Sequence, residues 1–155
     1  MSEELPNISL YLRFYGEAFD PSHITQRLGI TPTSAYRAGE KTAPLVDNRS
    51  SIETTHRRDG WFLKIGPYEA VEIADVTREF KDRVGSATEH IKEICEDLDI
   101  EAVVLCAVLQ PIFAPAPSLR FLPRFLQWVA EMGAILDIDV ILSGPGVNDK
   151  ALQDS

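Results

Sequence analysis

The sequence is poor in cysteine, histidine and positive charge, and it has no long apolar run. Two cysteines in 155 residues are too few for a disulfide framework. Cys95 falls in a helical pattern and Cys106 in a strand pattern, so both read as small buried hydrophobes suited to a reducing compartment. His23, His56 and His90 are scattered, with neither cysteine at a ligand spacing, so no metal and no cofactor is expected. Lys+Arg number 15 against Asp+Glu 24, a net charge of -9 that repels phosphate backbones and anionic membrane surfaces. A basic protein is therefore the expected partner, rather than nucleic acid or membrane. No apolar run approaches the roughly 20 residues that span a bilayer, and the acidic stretch Met1 to Leu5 lacks the cationic and apolar parts of a secretory leader. The expectation is a cytoplasmic protein. Gly144-Pro145-Gly146 follows a strand pattern but opens no helix, so it makes no phosphate-cradling loop. No nucleophile-and-base triad is evident either, which ranks an enzyme below a binding protein.

What is present is a well-punctuated α+β pattern. Ile8, Leu10, Leu12 and Phe14 alternate with Ser9, Tyr11, Arg13 and Tyr15, the period of a strand buried on one face. Asp20 then offers an N-cap oxygen, Pro21 a preset first helical dihedral and Gly29 the left-handed geometry that ends a helix. A polar stretch from Ala38 to Asp59 leads to a hairpin expected between Ser51–Arg57 and Trp61–Ile65 across Asp59-Gly60. Ile73, Val76, Phe80, Val84, Ala87, Ile91, Ile94 and Leu98 recur at helical spacing, interrupted at Gly85, with Ser86 to Glu89 matching a capping box. Glu101 to Gln110 is apolar on both alternating faces, as the middle strand of a sheet would be. Pro123 opens a helix that stops at Gly133, and a last strand puts Leu136, Ile138, Val140 and Leu142 on one face with Asp137 and Asp139 on the other. The fold class is α+β: a largely antiparallel sheet of about five or six strands, with helices packed mainly on one face. Residues 1–143 form a single domain in this reading, and 144–155 a flexible tail.

Several of these pieces occur together in one order. They are Tyr15-Gly16 closing the first strand, the Asp20-Pro21 helix start, Leu28-Gly29-Ile30 followed by Pro32-Thr33, Arg37 with Gly39, Gly60-Trp61, and the closing run Glu131 to Asp139. As an ordered set they resemble the bacterial family of the domain of unknown function DUF4279, over almost the entire chain from Leu10 to Leu142. The family's closing strand often ends in an aromatic where this chain has Ile141. The resemblance implies a fold and a cellular setting rather than a reaction.

Two groups of residues are candidates for binding. If helices cover the face of Leu10, Leu12 and Phe14, the opposite face displays Tyr11, Arg13 and Tyr15, and the last strand adds Asp137 and Asp139. The bland alternative is a solvated sheet face with an Arg–Asp cross-strand pair. The second group is Tyr36, Arg37 and Glu40, on a loop stiffened by Thr31-Pro32-Thr33. A structural alternative has Tyr36 covering the core edge and Arg37 pairing with a nearby carboxylate. A basic cluster of Arg49, His56, Arg57 and Arg58 reads better as a protected hairpin edge than as an anion patch. The leading functional expectation is a non-enzymatic binding module, in its most concrete form an acidic inhibitor or immunity-type protein with no catalytic residues. The competing expectation is a small enzyme or ligand-binding protein, in which Arg13 holds an anion and Asp137 or Asp139 transfers a proton.

Overall fold

A computed structural model describes residues 4–41 and 55–144. Strand β1 (Asn7–Tyr15) buries Ile8, Leu10, Leu12 and Phe14, as its alternation requires. Helix α1 (Pro21–Leu28) starts where Asp20 accepts a hydrogen bond from the Ser22 amide at 3.0 Å and stops at Gly29, whose φ is 68°. The order continues through β2 (Ser34–Tyr36), β3 (Gly60–Glu69), α2 (Ala74–Val84), a 3₁₀ turn (Gly85–Ala87) and α3 (Thr88–Leu98). It closes with β4 (Glu101–Pro111), α4 (Pro123–Glu131) and β5 (Ile135–Ser143).

The capping box expected at Ser86 to Glu89 does not form. Ser86 lies inside the 3₁₀ turn, and α3 begins at Thr88, whose hydroxyl donates to the Gly85 carbonyl at 2.7 Å. The same hydroxyl accepts from Trp128 Nε1 at 2.8 Å, which ties the start of α3 to α4, while the residue at the N-cap is Ala87, which has no side-chain acceptor.

The five strands line up as β2-β3-β1-β4-β5, with β1 antiparallel to β3 and β4, β2 antiparallel to β3, and β4 parallel to β5. The fold is α+β with a mixed, mostly antiparallel sheet. Its middle strand is β1, not the Glu101–Gln110 run, which sits one place from the edge. The expected hairpin is also revised. Trp61 to Ile65 pairs with β1 on one side, and Trp61 and Phe62 with β2 on the other, while Thr55 bridges Lys41 instead. Residues 51–54 of that hairpin, Arg49 of the basic cluster and residues 145–155 of the tail lie outside the described residues.

One apolar cluster joins the sheet residues Leu10, Leu12, Phe14, Leu63, Val104 and Cys106 to Ile24, Val76, Phe80, Ile91, Ile94, Phe125 and Trp128 of the helices. Trp61 and Trp128 are both buried, and each indole N–H is satisfied by a threonine, Thr25 at 3.0 Å and Thr88 at 2.8 Å. Strand β5 departs from expectation. Leu136 packs against the core, but Ile138, Val140 and Leu142 on the same face are 45%, 54% and 52% exposed. The cause is reach: α4 is nine residues, about 13 Å at 1.5 Å per residue, and beyond it only Met132, Ala134 and Leu136 join the core among the described residues.

Candidate functional site: the second face of the sheet and an aspartate corner

Register decides which side chains meet on the face opposite the core. One row runs Ser34, Phe62, Arg13, Val103, Ile135; the next runs Lys64, Tyr11, Leu105, Asp137; a third runs Tyr36, Gly60, Tyr15, Glu101. Alternation along each strand places these rows on one surface. The structure thus puts Tyr11, Arg13, Tyr15, Tyr36, Asp137 and Asp139 on the same face. It adds Phe62 and Lys64, which join them only because β3 neighbours β1, a pairing with no local signal.

Arg13 organises the centre of this surface. Its Nη1 donates to the Tyr15 hydroxyl at 2.9 Å, and its guanidinium carbon lies 4.7 Å from the Tyr11 ring centroid and 5.3 Å from that of Phe62. Those rings tilt at 58° with centroids 5.8 Å apart, and the Lys64 ammonium approaches Tyr11 at 5.6 Å. Each such cation–ring contact stabilises by about 0.5–1 kcal/mol at a partly exposed site. Arg13 Nε is buried and has no hydrogen-bond partner among the described residues. The Arg–Asp cross-strand pair does not form, because the cross-strand neighbours of Arg13 are Phe62 and Val103. Asp137 stands beside Leu105 and Asp139 beside Ala107, both exposed on the edge strand. With strands about 4.8 Å apart, two steps separate them from β1. Between them β4 contributes Val103 and Leu105, both nearly buried, and Leu109, 40% exposed.

The second candidate group resolves into a corner built around Asp59. Its carboxylate is buried and accepts from the Phe19 amide at 2.9 Å and the Ala38 amide at 2.7 Å, one on each oxygen. These two backbone hydrogen bonds hold its pKa below the ordinary aspartate value, with the nearby Arg37 adding to the effect. Arg37 stands 3.8 Å from both Asp59 and Asp20. Asp20 is likewise depressed, first by the hydroxyl and amide of Ser22 and then by the charges of His23 and Arg37. Arg37 therefore pairs with nearby carboxylates, while Glu40 takes part through its backbone, accepting from the His56 amide at 2.9 Å. The Tyr36 ring stacks on His56 at 3.6 Å and 10° and lies over Gly60, where a Cβ would come within 2.2 Å of it. Of the basic cluster, His56 is engaged in that stack, and Arg57 and Arg58 are exposed. Asp59 itself had only a turn signal in the sequence; nothing local marks a carboxylate as the acceptor for two distant amides.

Among the described residues, no three His, Cys, Asp or Glu side chains converge as metal ligands, and no helix is long and apolar enough to cross a membrane. No curated protein and no solved structure matches the chain significantly. One family model does match, over residues 6–143, a span that contains every strand and helix from β1 to β5. That coverage makes the chain a member of the family of the domain of unknown function (DUF4279).

Proposed function

We propose that the protein is a non-enzymatic binding module that docks a protein partner on the sheet face opposite its core. The carrying observation is the continuity of that face. It runs from the ring-and-cation cluster of Tyr11, Phe62, Arg13 and Tyr15, past the buried Val103 and Leu105, to the exposed Ile135, Asp137 and Asp139 on an edge strand. Aromatic and arginine anchors, with the exposed apolar Ile135 at the far edge, are of the kinds enriched at interface centres. In this reading the helices pack mainly on one face, supported by a core cluster that takes in Val104 and Cys106 but leaves out Val103 and Leu105. The same cluster supports a single domain over residues 1–143. Two free cysteines, with thiol pKa values pushed up to about 11 by burial, support a reducing, cytoplasmic setting.

The net charge of -9 and the exposed Asp137 and Asp139 favour a basic partner, and an inhibitor or immunity-type role against a basic toxin or effector is its concrete form. The test is capture of partners from native extract, then titration of the purified partner against Arg13→Ala and Asp137→Lys/Asp139→Lys. The reading expects each variant to stay cooperatively folded, with Arg13→Ala losing about 1–2 kcal/mol for its two ring contacts, and to bind at least about tenfold more weakly, a change of about 1.4 kcal/mol. Unchanged affinity in both refutes it. The unpartnered Arg13 Nε favours a second reading, a ligand-binding face in which Arg13 holds a small anion. Saturable small-anion binding lost in Arg13→Ala, with no protein captured, would select it.

A further inference from the structure

In a chain with 24 acidic and 15 basic residues, a patch of surface taken at random should be acidic. One cavity, of about 700 Å3, has the opposite character. It lies between the start of α2 and the segment leading into α4, and its charged lining is Arg78, Lys81, Arg120 and Arg124 against the single carboxylate of Glu72. Arg78 shares its charge with Asp75 at 3.1 Å, and the Lys81 ammonium stands 6.0 Å from the Trp128 ring. Arg120 and Arg124 are exposed and make no ion pair with any described residue. Beneath them, Ile73 and Phe125 are buried members of the core and Leu122 is exposed, so the lining is apolar below the charges.

We infer that this cavity binds a small molecule carrying a phosphate or carboxylate on an apolar body. Four cations lining one cavity, with a single carboxylate among them, make its potential positive, and an anion held there is attracted by all of them. Guanidinium groups match the geometry of carboxylate and phosphate oxygens. The two walls are tied together before any ligand arrives: the Ser118 amide donates to the Val71 carbonyl at 2.6 Å, and Glu72 and Ser118 form a parallel bridge. The volume lies within the roughly 300–1,000 Å3 of small-molecule sites, and the acidic remainder of the surface repels a polyanion. None of the lining residues belongs to the second face of the sheet, so this site and the docking face stand or fall separately.

The test uses the full chain with phenyl phosphate and phenylacetate as probes, and inorganic phosphate and benzyl alcohol as half-probes, followed by calorimetry and heteronuclear NMR. At least one full probe is expected to bind saturably, shifting amides of residues 73–81 and 118–125, and more tightly than either half-probe. Arg120→Gln/Arg124→Gln is expected to weaken binding by roughly tenfold or more while melting as the parent does; Arg57→Gln/Arg58→Gln is the control and keeps it. The inference is overturned by any of three results: no saturable binding at millimolar probe, inorganic phosphate binding as well as the full probes, or undiminished affinity in the double variant.

Discussion

Removing the Asp59 carboxylate tests the corner that joins three separate pieces of chain. Asp59→Ala leaves the amides of Phe19 and Ala38 without their acceptor, each of which now donates to a charged oxygen. Hydrogen bonds to a charged group contribute about 1.5–3 kcal/mol each. Their sum, reduced for sharing one side chain, gives an expected loss of about 3–5 kcal/mol. Arg37 adds little to this, being half exposed and 3.8 Å away, so Arg37→Ala should cost under about 1 kcal/mol. Asp59→Asn keeps one acceptor oxygen but turns an N–H toward the other amide, for an intermediate loss of about 2 kcal/mol. The assay is urea denaturation of the parent and the Asn variant at a series of pH values from 7 down to 3. In the parent the folded carboxyl has a depressed pKa, so the unfolded chain takes up its proton first as pH falls. The Asp59 contribution is thus fully present above the unfolded value of about 3.9 and is lost as pH falls through the lower folded value. The stability gap between parent and Asn variant should accordingly shrink below about pH 4. Asp20 is depressed in both proteins, so it largely cancels in the difference. A gap that stays constant down to pH 3, or an Ala variant within about 1 kcal/mol of the parent at pH 7, refutes the reasoning.

Trp128→Ala should cost about 3–5 kcal/mol, since it removes an indole packed edge-on against Phe80 and tilted against Phe125; thermal melting reads the loss, and an unshifted midpoint contradicts the α4 packing. Cys95 and Cys106, with pKa values near 11, should react with a thiol reagent far more slowly in the native protein at neutral pH than after denaturation, when two free groups should titrate without reductant. Gly60→Ala should displace Tyr36 and break its stack on His56, because the new Cβ would fall 2.2 Å from the ring. Loss of the ring-current shift on the His56 ring protons is the readout, and an unchanged shift rules the contact out.

The sequence by itself determined the features that act over a few residues. The alternation in β1 chose its buried face, Asp20, Pro21 and Gly29 bounded α1, and Pro123 and Gly133 bracketed α4, because a cap or a period needs only its own neighbours. It also placed Tyr11, Arg13 and Tyr15 on one face. Only the tertiary structure decided who pairs with whom. Backbone donors and acceptors are alike in every strand, so nothing local told β3 to add to β1 rather than fold back on residues 51–57, and the capping box expected at Ser86 gave way to a 3₁₀ turn. The parallel docking of β5 depends on a connection that runs through α4, and the short reach of that helix is what leaves Ile138, Val140 and Leu142 exposed. The same holds for the corner and the cavity. Asp59 became a buried acceptor, and Arg78, Lys81, Arg120 and Arg124 became one basic wall, when distant segments met, and charge in a sequence carries no record of the neighbours that folding will give it.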